Sequence, residues 1–209
     1  MIIAYKNYRR TDRVLLSISS VRHFLPNHEI YCLNLFDKVS TEYDEWSGEF
    51  QRLGVKVAFA KNKYVCGPGI HNPCNGFYYT EYLNYFSLMF KGKEKVIALD
   101  EDVYFTTGET LKFFENAEFD LAWANWWVGV NAGIIGINFK TMEPVFPLTE
   151  KLEYIEAILK EELLGRAMKM GLNIVKIPTR DEQNYFGDGS YTNDTDKIKS
   201  DLVHAGILK

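Results

Sequence analysis

Long hydrophobic runs, paired cysteines and a basic surplus are all missing from this sequence, and each absence closes off a class of protein. No segment approaches the roughly 18 consecutive apolar residues expected of a membrane span. The apolar start, Met1 to Tyr5, is too short for a signal peptide. Three cysteines cannot all pair with one another. Cys32 lies in an apolar, strand-like run and reads as a buried thiol. Cys66 and Cys74 flank a Gly/Pro/Asn loop carrying His71, but a fourth metal ligand and the usual zinc spacing are lacking. A reducing, cytoplasmic setting is the expectation. The net charge of −4 argues against a general nucleic-acid binder, which carries a basic face. Anionic small ligands stay open, because a few local cations suffice to hold a phosphate. Neither an internal repeat nor a low-complexity tract is present.

What is present suits one globular domain. The 209 residues are 46% hydrophobic and 25% charged, enough for a sizeable core. Aromatic residues make up 15%, and that share hints at stacking surfaces. Hydrophobic patterning predicts a strand over Ile2–Tyr5, a polar loop over Lys6–Arg10, and a helix over Arg13–Phe24 capped by Thr11 or Asp12. A strand over Glu29–Asn34, a helix over Glu42–Leu53 ending at Gly54, and a strand over Val55–Phe59 follow. After the loop Cys66–Gly76 come an aromatic helix, Phe77–Phe90, and a solvated turn, Lys91–Lys95. Downstream, the pattern predicts a helix over Gly108–Asn116, strands over Phe119–Ala124 and Val130–Phe139, and a long helix over Glu150–Met170 closed by Gly171. A strand over Leu172–Ile177, a short helix or turn over Asp181–Phe186 and a polar loop over Gly187–Asp196 complete it. Strand alternating with helix is the mark of a mainly parallel, doubly wound α/β sheet.

The stretch Lys95–Phe105 organises this pattern. Val96 to Leu99 run unbroken into Asp100, Glu101 and Asp102. An apolar run without alternation fits a strand covered on both faces. Three carboxylates cannot stay ionised inside such a core without partners, so they belong where the strand emerges, at the edge where open α/β sheets bind ligands. On an extended chain Asp100 and Asp102 would point the same way. Two convergent carboxylates suit a hard divalent cation whose shell phosphate oxygens complete. The plainer alternative is a solvated strand-to-loop boundary.

The order of motifs goes further. An N-terminal half able to hold a nucleotide leads to Asp100-x-Asp102. Asn131-x-Gly133, the acidic Asp181-Glu182-Gln183-Asn184 cluster and a late His204-x-Gly206 follow. Together these resemble the GT-A class of nucleotide-sugar glycosyltransferases, most closely retaining families that include glycogenin-like enzymes. The resemblance implies a single domain, with residues 1–105 as a nucleotide-binding half and 106–209 as the acceptor and catalytic half. The compact size and abrupt end also look like a glycosyltransferase domain heading a longer, multidomain viral protein, which would place it in the host cytoplasm.

The resemblance further implies that the chain moves a hexose from a UDP-sugar to a glycan or glycoprotein acceptor. The Asp-x-Asp would hold Mn²⁺ or Mg²⁺, with Asp102 as direct ligand and Asp100 holding the ribose or a metal-bound water. His204 corresponds to a third metal ligand, and imidazole favours Mn²⁺. Lys209 corresponds to a phosphate-contacting lysine, although the Pro-Trp pair expected after it is missing. Tyr5, Asn7 and Arg10 follow the first strand, where such folds hold base and phosphates; an aromatic there stacks uracil and an arginine suits phosphate. The small residues around Asn131 and Gly133 would let a sugar approach the backbone. Trp123, Trp126 and Trp127, just upstream, offer faces for an acceptor sugar. Asp181 and Glu182 would lie beside the anomeric carbon, as base for an inverting enzyme or as the stabilising group of a retaining one. Two other readings stand beside this one. A metal-dependent phosphohydrolase also begins with Asp-x-Asp, but near the first strand rather than mid-chain. A carbohydrate- or nucleotide-sugar-binding module would keep the fold without turnover.

Overall fold

The computed structural model describes residues 1–7, 11–35, 41–60, 75–126, 129–130, 133–149, 155–178, 189–191 and 194–209. The first half alternates strand and helix: β1 (Ile2–Asn7), α1 (Thr11–Phe24), β2 (Glu29–Leu35), α2 (Thr41–Arg52), β3 (Val55–Ala60), α3 (Asn75–Met89) and β4 (Val96–Asp100). The second half carries β5 (Val103–Phe105), α4 (Glu109–Asn116), β6 (Leu121–Trp123), β7 (Asn125–Trp126), β8 (Gly129–Val130) and β9 (Ile134–Ile137). Then come α5 (Ile155–Ile158), a π-helical stretch (Leu159–Leu164), α6 (Gly165–Lys169), β10 (Ile174–Lys176), β11 (Gly189–Tyr191) and α7 (Thr195–His204).

Seven strands form the central sheet in the order β10-β6-β9-β4-β1-β2-β3. β1 lies parallel to both β2 and β4, β2 to β3, and β6 to β10. β9 runs antiparallel to its neighbours β4 and β6, so the other six share one direction. The chain steps outward from β1 to β3, then returns to place β4 on the other side of β1. That reversal creates a topological switch point between β1 and β4, and a crevice opens there at the carboxyl edge of the sheet.

Both faces of the sheet are covered, which explains the unbroken apolar runs. Ile3, Tyr5, Ile97 and Leu99 face one core, built with Val14 and Ile18 of α1, Phe50 of α2 and Phe114 of α4. Ile2, Ala4, Val96 and Ala98 face the other, with Leu83 and Phe86 of α3 and Ile155, Leu159 and Leu163 of the helical run after residue 154. Gly136 in β9 is a close-approach point: an added Cβ would sit 2.9 Å from both Phe114 and Phe119 and 3.0 Å from the Ala122 methyl. We expect Gly136→Ala to lower stability by about 1–3 kcal/mol through overpacking. Urea unfolding would read this, and an unchanged midpoint would contradict the packing described.

Several boundaries differ from those the pattern predicts. β1 continues through Lys6 and Asn7 instead of ending at Tyr5, so Lys6 is a strand residue. α7 begins inside the stretch expected to be a polar loop. Asp194 caps it, accepting from the backbone N–H of Asp196 at 3.0 Å and of Lys197 at 3.1 Å. Ile198 and Leu202, one helical turn apart, then bury against Tyr104 of β5. Part of the same stretch also forms β11, paired antiparallel with β5. Among the described residues no helix is long and apolar enough to cross a membrane.

Candidate functional site

β4 carries the acidic triplet to the switch point. Register places Lys6 of β1 directly beside Asp100 of β4, and side chains at matched positions on parallel neighbours project to the same face. The Lys6 ammonium lies 2.7 Å from Asp100 Oδ1, with the two side chains only 2% and 6% exposed. The contact is an ion pair by distance, but its angle falls outside hydrogen-bond geometry. The Tyr79 hydroxyl, from α3, donates to the other oxygen, Asp100 Oδ2, at 2.9 Å. The ammonium also lies 4.4 Å from the centroid of the Tyr79 ring, a cation–π contact. The Asp100 backbone N–H donates to the Gly133 carbonyl at 3.0 Å, so Gly133 is held against the triplet.

Past Asp100 the chain turns at Glu101 and Asp102 instead of running on as a strand. The i, i+2 alternation therefore does not govern Asp102. Asp102 is buried, and its Oδ1 has no hydrogen-bond partner among the described residues. Burial, and then the Asp100 carboxylate, push its acid up to about 7, against the opposing pull of Arg13 and Lys6. Glu101 is raised above the usual carboxylate range by burial, then by Asp102 and Asp100. Among the described residues, Lys6 and Arg13 are the cations that act on these adjacent carboxyls. A buried carboxylate oxygen without a hydrogen-bond partner among the described residues, beside two further carboxyls, fits a bound cation at Asp102.

The Asp102 shift has a sign that can be tested. An acid whose folded value lies above its ordinary 3.8 holds its proton more tightly folded than unfolded. Its stabilising contribution is complete at low pH and is lost as pH rises from about 4 through about 7. Chelator-treated protein should thus lose up to about 1.4 kcal/mol of unfolding free energy per pH unit across that window. Glu101 and Asp102 are both raised and adjacent, so the loss belongs to the two acids together. Urea melts at stepped pH would show it, and stability that rises across the window would contradict it.

Other residues expected at the site divide into three groups. Asn7 reaches the carboxyl edge: its side-chain amide donates to Asn34 Oδ1 at 2.6 Å, and its carbonyl accepts from the Tyr82 hydroxyl. Tyr5 does not reach it. Its ring is fully buried between the sheet and α1, and its hydroxyl lies 3.0 Å from that of Ser17. With no exposed face, Tyr5 cannot stack a base; alternation along β1 turns it into the core. His204 forms no described metal-binding group with the triplet. α7 begins beside α1, where the Thr195 hydroxyl donates to Asp12 at 2.9 Å and accepts from Arg13 at 3.4 Å. His204 ends the same helix about 14 Å further along its axis. It is exposed, and among the described residues no group of three His, Cys, Asp or Glu is placed to hold a metal. Lys209 is exposed beyond α7. Trp123 is half-buried against a core. Arg10, Asn131, Asp181, Glu182, Trp127, Cys66, His71, Cys74 and the Trp126 side chain lie outside the described residues.

Topology nevertheless orients the chain toward this edge. β1, β2, β3, β4, β6 and β10 all point the same way, so the segments following each leave from the carboxyl side. The antiparallel β9 starts from that side, which puts Gly133 there. A broad cleft of about 990 Å³, lined among others by Met1, Glu29, Lys93, Lys95 and Asn138, opens at the opposite edge. It touches none of the triplet and lies at the amino ends of the parallel strands.

No family model matches the sequence, and no curated protein matches it. Solved structures do. The galactosyltransferase LgtC, in complex with donor and acceptor sugar analogues, superposes with a TM-score of 0.65 at 14% identity, over 100% of this chain and 96% of LgtC. The mannosyltransferase PcManGT of Pyrobaculum calidifontis, in complex with GDP-Man and Mn²⁺, gives 0.55 at 10% identity, over 87% of this chain and 58% of that one. The glycosyltransferase GlyE of Streptococcus pneumoniae gives 0.53 at 21% identity; 85% of this chain spans 45% of GlyE. The chain therefore has the GT-A fold of the nucleotide-diphospho-sugar glycosyltransferases.

Proposed function

We propose that the protein is a metal-dependent glycosyltransferase that moves a hexose from a UDP-sugar to a glycan or glycoprotein acceptor. The observation that carries this reading is Asp102, a buried carboxylate with an orphaned oxygen, at the switch point of a GT-A sheet. LgtC with its donor and acceptor analogues and PcManGT with GDP-Man and Mn²⁺ support it as proteins of the same fold. Asp102 would hold the Mn²⁺ or Mg²⁺ ion, and His204 takes no part. When bound, such an ion offsets charge on the diphosphate that departs as the sugar–oxygen bond breaks.

This chain's own groups do the rest. Lys6 and Tyr79 fix Asp100, Asn7 and Asn34 lock the ends of β1 and β2 together, and Gly133, held against Asp100, is assigned to the donor sugar. Arg10 and Lys209 are assigned to the phosphates, Asn131 to the donor sugar, and Asp181 and Glu182 to the anomeric centre. Those last two residues follow β10, whose carboxyl end lies on the same edge as Asp100. Transfer with retention is the stereochemistry we assign.

Release of nucleoside diphosphate from a panel of UDP- and GDP-sugars, with Mn²⁺ and without acceptor, tests the reading. Slow hydrolysis of a UDP-hexose that stops on chelation is expected. Binding of a donor with no release from any of them, with or without glycan acceptors, would favour a binding module instead.

A further inference from the structure

We propose that Lys6 is a built-in counter-ion that keeps Asp100 out of a bound cation's coordination shell, so that Asp102 sets the affinity of the site and Lys6 restrains it. The inference deepens the proposed function and rests on it only for the presence of a divalent cation. Both oxygens of Asp100 are already engaged, one by the Lys6 ammonium at 2.7 Å and the other by the Tyr79 hydroxyl at 2.9 Å. The ammonium is itself enclosed, with its side chain 2% exposed and the Tyr79 ring against it. A divalent ion that took Asp100 would have to break an ion pair whose two side chains are enclosed, and separating a buried charge pair is unfavourable. Asp102 differs from Asp100 in this respect: among the described residues its buried Oδ1 has neither a hydrogen-bond partner nor an ion pair, whereas Asp100 Oδ1 has the Lys6 ammonium.

Lys6 thus acts as a positioning residue. It fixes Asp100 as a rigid hydrogen-bond acceptor and removes one negative charge from the field the metal meets. Fewer charged ligands mean weaker ion binding, and a weak site lets the ion arrive and leave with the nucleotide. The strand register is what builds this arrangement, because Lys6 and Asp100 are matched partners on adjacent parallel strands.

The test is the affinity for Mn²⁺ alone, read from the electron paramagnetic resonance signal of the free ion without nucleotide. Lys6→Met should bind Mn²⁺ at least about tenfold more tightly than the wild type, because Asp100 joins the site. The double variant Lys6→Met/Asp100→Asn removes the pair as a neutral unit and should stay within about threefold of the wild type. Asp102→Asn should lose binding. Equal or weaker binding by folded Lys6→Met would overturn the proposal. So would a double variant that loses Mn²⁺ as Asp102→Asn does, and this arm decides the matter if Lys6→Met does not fold. A wild type that binds neither Mn²⁺ nor UDP would remove the glycosyltransferase reading instead, while a gain of Mn²⁺ binding in Lys6→Met would still support the counter-ion role.

Discussion

Asp102→Asn is expected to lower Mn²⁺-dependent release of UDP from the donor by at least about a hundredfold while leaving the metal-free protein as stable as wild type, or more stable, near pH 8. Both halves follow from one environment. Asp102 is buried, its Oδ1 lacks a hydrogen-bond partner, and burial with the Asp100 carboxylate raises its acid to about 7. Without a cation, its ionised form is a burden on the fold. Asparagine keeps the shape and removes the charge, so the burden goes and the proposed metal ligand goes with it. Sites that trade stability for function show this opposition, whereas a merely structural aspartate would lose stability on substitution. Parallel urea melts and donor-hydrolysis rates separate the two. A variant that is both less stable and fully active would contradict the assignment.

Phe114→Ala should cost about 3–5 kcal/mol of unfolding free energy. Phe114 is fully buried on α4, with its ring 6.0 Å from that of Phe119 and 5.3 Å from that of Phe113. It also fills the space above Gly136, where a Cβ would approach it to 2.9 Å. Truncation therefore opens a cavity walled by two strands and a helix that cannot close over it. Gly136 pairs with Ile97 in β4, so this cluster backs the strand that delivers the triplet. The loss should appear as a lower denaturant midpoint with an unchanged slope. A loss below about 1 kcal/mol would mean that the site collapses freely and that the packing described is wrong.

The alternation of strand and helix was legible because each element carries its own period, and Val96–Leu99 announced a doubly covered strand without help from elsewhere. The acidic triplet could likewise be placed at a strand end from the cost of burying it. Lys6 could not be read the same way. A lysine is a poor guess for a buried strand position unless its partner is known, and that partner lies 94 residues away across a non-local pairing. Tyr5 is a different case. A strand that ends at Tyr5 would leave the ring free to turn from the core, whereas two further strand residues hold it inside. His204 rests on motif order alone, and motif order carries no information on how α7 packs. The α7 cap did leave a local signal: Asp194 precedes Ile198 and Leu202 at helical spacing. Tyr79 and Arg13 are visible at the site only once α3 and α1 are packed.

The central claim is that Asp102 anchors a metal–diphosphate complex, and calorimetric titration of UDP with and without Mn²⁺ meets it most directly. The wild type should bind UDP at least about tenfold more tightly with Mn²⁺, and Asp102→Asn should lose that gain while keeping its fold. UDP affinity indifferent to Mn²⁺, or a metal-dependent gain that survives in Asp102→Asn, would contradict the account.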